Sequence, residues 1–155
     1  MRKFSDLFEA PQTIVFAFGR FNPPTTGHEK LINKVASVAG KVPYRIYPSF
    51  TTNPKKDPLP HALKVAYMRK MFPKHRRNII ADKNARTAIM VAEMLYKEGF
   101  KNLVMVAGSD RVREFSDLLN RYNDAPDKKG NQLFKFDTVQ VISAGERDPD
   151  AEGVE

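Results

Sequence analysis

Apolar and polar positions along the chain fall into two alternating rhythms. Short apolar runs come at Thr13–Arg20, Tyr44–Phe50, Asn102–Ala107 and Thr138–Ser143, with a weaker one near Asn78–Ala81. Between them, apolar residues recur at helical spacing over about Thr26–Ala39, His61–Phe72, Ala85–Glu98 and Asp110–Tyr122. The third helical stretch is the clearest: Ala88, Val91, Ala92 and Leu95 mark one face, and Gly99 ends it. Gly40 stops the first helix in the C′ role, and Pro73 stops the second. The run Leu103-Val104-Met105-Val106-Ala107 has no polar alternation, as expected of a strand covered on both faces.

Strands that alternate with helices predict βαβ units and an α/β domain built on a mainly parallel sheet of about five strands. Such sheets bind ligands at the carboxyl ends of their strands, near the point where strand order reverses. The segments that follow the first, second and fourth strands are 19–28, 49–60 and 108–113. They are also rich in Gly, Pro, His, Lys and Asp, so two independent readings point to one edge of the sheet. The polar segment 123–131 reads as a loop.

A chain of 155 residues suits one domain with one core. We expect that domain over 13–145, preceded by a segment 1–12 and followed by an acidic tail 146–155. In the leading segment Phe4, Leu7 and Phe8 sit at helical spacing, which suggests a short amphipathic helix docked on the domain or on a partner. That segment lacks the continuous apolar core of a secretory signal. No apolar run approaches the roughly 18–20 residues of a membrane helix, so no membrane partner is expected. The chain has no cysteine, which removes disulfides, thiolate metal sites and a thiol nucleophile. Net charge is +8, and the last ten residues carry −4 of their own, so the body is more basic than the total suggests. A basic body suits phosphate-rich partners, nucleotides before nucleic acid. Nucleic acid as the primary ligand is the weaker reading, because charge alone supplies only non-specific attraction.

The densest chemistry lies in Gly19-Arg20-Phe21-Asn22-Pro23-Pro24-Thr25-Thr26-Gly27-His28. Strand, glycine turn, histidine and helix follow in that order, which sets an imidazole and main-chain N–H groups at a helix N-terminus, where anions bind. Gly19 lets backbone approach a phosphate with no Cβ in the way. Pro23 and Pro24 stiffen the turn, and Gly27 leaves room above the helix start. A lone histidine at a helix start is more often an ordinary surface residue; here the constellation argues otherwise. Phe16, Phe18 and Phe21 read mostly as core residues. His61 and His75 have no carboxylate or histidine at metal spacing and read as surface or loop residues. The run Lys74-His75-Arg76-Arg77 is an exposed turn or a phosphate-binding patch.

Residues 19–28 resemble the first signature of the HxGH-type nucleotidyltransferases, Gly-x-Phe-x-Pro-x-(His/Thr)-x-Gly-His, at Gly19, Phe21, Pro23, Thr25, Gly27 and His28. The resemblance extends over about 13–143 and implies a Rossmann-like three-layer domain. It also implies transfer of a nucleoside monophosphate, AMP before CMP, from ATP or CTP to a small phosphate-bearing acceptor, with Mg²⁺ carried on the nucleotide. By the same resemblance His28 steadies charge on the triphosphate, Thr25 takes the place of a first histidine, and Arg20 contacts phosphate. Gly19, Phe21, Asn22, Pro23 and Gly27 would line the nucleotide. Val106-Ala107-Gly108-Ser109-Asp110 is similar to the family's fourth strand end, where Gly108 allows close approach and Ser109 and Asp110 adjoin the ribose. Asp110 has a second reading, as a helix cap with Ser109. Lys55 and Lys56, in the loop after strand two, would reach acceptor or triphosphate oxygens, or would be ordinary solvated lysines.

A second family signature, Ile-Ser-x-(Thr/Ser)-x-x-Arg, follows the last strand in relatives. Val141-Ile142-Ser143-Ala144-Gly145 is the nearest string here, and Arg147 comes too early for it. Three expectations follow: a truncated form of a longer enzyme, a processed product, or a short member with weakened turnover. A looser likeness of 19–32 to tailed-phage proteins adds a rival in which the chain is a structural component of a particle, with protein partners or copies of itself. The expected location is the cytoplasm, or the virion in that rival.

Overall fold

The computed structural model describes residues 12–21, 24–25, 27–50, 60–126 and 129–145. Its elements are β1 (Thr13–Gly19), α1 (His28–Ala39), β2 (Tyr44–Pro48), α2 (His61–Met71), a 3₁₀ turn (Pro73–Asn78), α3 (Ala88–Lys97), β3 (Asn102–Ala107), α4 (Val112–Tyr122) and β4 (Thr138–Ser143). The strands form one sheet in the order β2-β1-β3-β4, with every pair parallel. This is the Rossmann-like α/β arrangement that alternating strand and helix patterns require.

The sheet is sandwiched because its central strands are apolar on both sides. Ile14 and Phe16 of β1 face one layer with Leu103 and Met105 of β3, and there they meet Val91, Ala92 and Leu95 of α3 and Leu119 of α4. Val15 and Ala17 face the other layer, against Ile32 and Val35 of α1 and Val65 and Met68 of α2. Each fully buried side chain of this size contributes roughly 1.5–3 kcal/mol. The two faces of β1 therefore bind helices from both halves of the chain to one sheet.

The sheet has four strands, not the five expected. Ile79 makes a single parallel bridge to Ile46, and the Ile80 N–H donates to the Ile46 carbonyl at 2.9 Å. The segment thus occupies an outer-strand position beside β2, but the 3₁₀ turn before it leaves too few extended residues for a ladder. α1, α3 and α4 begin two or three residues later than their apolar pattern suggested, α2 begins at His61 as expected, and Gly40 ends α1 at φ +59°. No helix among the described residues is long and apolar enough to cross a membrane. The leading segment 1–11 and the acidic tail 146–155 lie outside the described residues.

Candidate functional site

Strand order reverses between β1 and β3: the chain leaves β1 for β2 on one side and returns to β3 on the other. The β1–β3 register pairs Thr13 with Asn102 and Phe16 with Met105. Carried to the strand ends, the same offset sets Gly19 opposite Gly108. Two of the segments singled out in the sequence, 19–28 and 108–110, therefore meet at the switch point, where helices diverge to opposite faces and leave a crevice.

At the first of these ends Phe21 turns back under the strand. Its backbone lies at φ +48°, a region that bulky residues rarely enter. Its ring is 4% exposed and packs with Val15, Ile32 and Val106. A Cβ on Gly19 would meet that ring at 3.3 Å, so the glycine lets Phe21 fold beneath it. The Phe21 ring also meets the His28 imidazole edge-on at 4.9 Å between centroids. Strain of this kind persists where surrounding packing over-determines it.

His28 is the first residue of α1. The Thr25 N–H donates to its Nδ1 at 3.0 Å, and Thr25 Oγ1 lies 3.3 Å from the same nitrogen. A ring nitrogen that accepts from a main-chain N–H carries no proton, so the proton of the neutral ring sits on Nε2. Thr25 thus holds the ring through its backbone, a role the side-chain comparison with a family histidine did not suggest. Gly27, the N-cap of α1, makes no side-chain capping bond. Neither do Pro60 before α2 and Arg111 before α4, whereas Thr87 Oγ1 caps α3 by accepting from the Met90 N–H. Among the described residues no side chain caps the start of α1, and Glu29 is the acidic residue of its first turn. Arg20 is exposed at the end of β1.

At the second strand end, a Cβ on Gly108 would lie 2.9 Å from Asp110 Oδ1. The carboxylate folds over the glycine. Asp110 is not the helix cap; that position is Arg111, whose side chain instead pairs with Glu114 at 2.8 Å. Ser109 and Asp110 are exposed. Beyond β4, the chain in Ala144–Gly145 lies beside α1, where Lys30 Cε and Nζ would stand 3.5 Å from a Cβ on Gly145. Asn22, Pro23, Lys55 and Lys56 lie outside the described residues.

Of the two histidines read as surface or loop residues, His75 is buried and His61 is half-buried. His75 is 7% exposed, its Nε2–H donates to Asn33 Oδ1 at 2.8 Å, and it accepts from the Tyr44 hydroxyl at 2.9 Å. It sits in the wall of a 270 Å³ pocket with Glu29, Asn33, Phe72 and Lys74. Burial pushes its pKa down, with Glu29 opposing and Lys74 adding to the effect. His61 opens α2, where its Nδ1–H donates to the Ser49 carbonyl at 3.3 Å, and its Nε2 is buried with no hydrogen-bond partner among the described residues. Burial lowers its pKa too, and the nearby Lys64 charge adds to this. The remaining members of the basic run, Lys74, Arg76 and Arg77, are exposed as expected.

A polar group at the end of β2 escaped the sequence reading. Ser49 and Lys64 are buried at 3% and 1% exposure, and Lys64 Nζ donates to the Ser49 carbonyl at 2.8 Å. Phe50 stacks edge-on against His61 at 5.1 Å, and the Arg86 guanidinium lies 5.5 Å above the Phe50 ring. The legible signal was Lys64 itself: it lies four residues before Met68 and one before Val65, on the apolar stripe of α2. Among the described residues no group of three His, Asp or Glu gathers as a metal site.

Comparison with known proteins agrees with this geometry. A relative described as "Probable nicotinate-nucleotide adenylyltransferase" from Sulfurimonas denitrificans is 27% identical over 118 residues, which cover 72% of this chain and 64% of the relative. The chain thus spans under two thirds of that relative's length. No solved structure matches it significantly. The family model described as Cytidylyltransferase-like matches residues 16–147, from the first strand past the last, and so takes in both glycine strand ends and His28. A parallel α/β sheet with a histidine-bearing helix at its switch point, matched over most of its length by that model, makes this chain a member of the cytidylyltransferase-like family of nucleotidyltransferases.

Proposed function

We propose that this chain transfers an adenylyl group from MgATP to a small phosphate-bearing acceptor, with nicotinate and nicotinamide mononucleotide as the first candidates. The observation that carries the reading is the His28 ring, oriented by the Thr25 N–H at the uncapped start of α1. The printed description of the Sulfurimonas relative favours adenylyl over cytidylyl transfer.

In this reading the triphosphate lies across the crevice between Gly19 and Gly108. An oxygen of the acceptor phosphate attacks the α-phosphorus in line. The new P–O bond forms as the bond to the β-phosphate oxygen breaks, and its electron pair leaves on pyrophosphate. Negative charge grows on the bridging and non-bridging oxygens during that displacement. The His28 Nε2–H and the first-turn N–H groups of α1 that follow His28, whose own N–H donates to the Thr25 carbonyl at 3.0 Å, supply hydrogen bonds to it, and Arg20 adds a mobile charge. Fixed donors of this kind need no reorganisation when the charge appears, which is why one donor is worth about 10²–10³ in rate. Gly19 and Gly108 border the nucleotide at the two strand ends, while Ser109 and Asp110 adjoin its ribose. By the family resemblance alone, Lys55 and Lys56 would contact acceptor or triphosphate oxygens, and Asn22 and Pro23 would contact the nucleotide. Mg²⁺ arrives on the triphosphate and neutralises part of its charge.

The test is pyrophosphate release from ATP or CTP over a panel of phosphate-bearing acceptors. Release with ATP that falls at least a hundredfold in His28→Ala supports the proposal. Release with CTP alone moves the activity to cytidylyl transfer. No release with either nucleotide, from a chain found in fixed stoichiometry in a particle, supports the structural rival.

A further inference from the structure

We infer that Lys64 is a positioning residue for the nucleotide turn: its buried ammonium holds the Ser49 carbonyl, and through Ser49 the end of β1 at Gly19. The inference takes from the nucleotidyl-transfer reading only the identity of what the turn binds.

The chain of contacts is short. The β1–β2 ladder ends at the pair Gly19 and Pro48. One residue further on, the Ser49 N–H donates to the Gly19 carbonyl at 2.7 Å, and the other end of the same residue, its carbonyl, accepts from Lys64 Nζ at 2.8 Å. Lys64, the shorter of two donors to that carbonyl beside His61 Nδ1–H at 3.3 Å, therefore anchors the residue whose N–H ties the end of β1 to the sheet. Through one residue of backbone, the ammonium lies within about 9 Å of the Gly19 carbonyl.

Burying an ammonium here carries a cost for folding. A buried ammonium loses its hydration, and an apolar residue of similar length fills such a place at least as well. Val65 and Met68 on the same face of α2 show what the stripe otherwise carries. Two further polar groups lie beside it: Ser49 Oγ and His61 Nε2 are buried without hydrogen-bond partners among the described residues. Such groups are few in folded proteins, and their clustering marks places where function outweighs stability. Here they gather at the strand end next to Gly19. A fixed positive charge behind the turn favours a polyanion in front of it, and at that separation it changes affinity by about tenfold.

The experiment compares the full chain with Lys64→Met and Lys64→Arg by amide hydrogen exchange and by calorimetric titration with MgATP. In Lys64→Met the Ser49 amide should exchange at least tenfold faster while β3–β4 amides keep their protection, and MgATP affinity should fall about tenfold. Lys64→Arg should restore both to within about threefold. Should Lys64→Met fail to fold, Lys64→Gln takes its place. Unchanged protection at Ser49, or a loss spread evenly over the sheet, overturns the inference, as does unchanged MgATP affinity with Ser49 loosened. If the wild-type chain binds neither MgATP nor MgCTP, the nucleotidyl-transfer reading fails. The exchange result then still decides the clamp: selective loss at Ser49 supports it, and retained protection overturns it.

Discussion

The backbone N–H of Thr25 donates to Nδ1 of His28 across 3.0 Å, so the main chain sets the histidine's tautomer. A catalytic donor at Nε2 then needs neither a carboxylate partner nor a particular side chain at position 25. The first expected outcome follows from which nitrogen works. In Gln the amide nitrogen reaches about as far as Nε2, whereas in Asn it stops near Nδ1. His28→Gln should keep more pyrophosphate-releasing activity than His28→Asn, and His28→Ala should lose about 10²–10³. Thr25→Ala, which keeps the N–H, should lose less than about tenfold. Steady-state rates on the four variants check this.

Gly108 and Asp110 form a coupled pair. A Cβ on Gly108 would sit 2.9 Å from Asp110 Oδ1, so Gly108→Ala has to push the carboxylate away. In the Asp110→Ala background the same methyl meets no such oxygen. The two substitutions should therefore be non-additive by about 0.5–3 kcal/mol in nucleotide binding, as a double-mutant cycle measures it.

Ser49→Ala is expected to leave stability unchanged or raise it by about 1 kcal/mol, since the hydroxyl is buried with no partner among the described residues and its removal lifts a desolvation cost. Urea unfolding of the variant checks this. A loss of more than about 1 kcal/mol would mean that the hydroxyl is bonded in solution.

The pH dependence of stability turns on His75. Its ring is held neutral by burial between Asn33 of α1 and Tyr44 of β2, with its pKa below the ordinary 6.5 and with Glu29 and Lys74 nearby. A histidine whose folded pKa is depressed binds protons more readily in the unfolded chain. Its contribution is therefore complete above about pH 6.5 and is lost as pH falls from there through the folded-state value. Melting curves should show a fall over that window that flattens in His75→Gln, whose amide keeps a hydrogen-bonding partner for Asn33.

Much of this was legible in the chain, for physical reasons that differ by element. The strands β3 and β4 were readable to the residue at both ends, because a two-sided apolar run and a polar loop leave few alternatives. The turn at 19–28 was readable because glycine, proline and histidine there have narrow uses. The outer segment at Ile79 was misread as a strand, since an apolar pair cannot reveal that a 3₁₀ turn leaves room for only one bridge. The burial of His75 and the hydrogen bonds of both histidines were not legible, because their partners, Ser49 for His61 and Asn33 and Tyr44 for His75, lie 12, 42 and 31 residues away in sequence. The group around Lys64 was visible only as a cation on an apolar stripe. Its meaning depends on Ser49 reaching Gly19, a contact between separate strands that no local pattern encodes.

The claim beneath all of this is that a nucleotide triphosphate lies in the β1–β3 crevice against α1. Amide and imidazole resonances followed by NMR during titration with MgATP and MgCTP test it most directly. Saturable shifts at Gly19, His28, Gly108 and Asp110, with none at the opposite edge around Thr13, Asn102 and Thr138, are the predicted result. A titration that leaves His28 and Gly108 unmoved, or that moves the far edge instead, would contradict it.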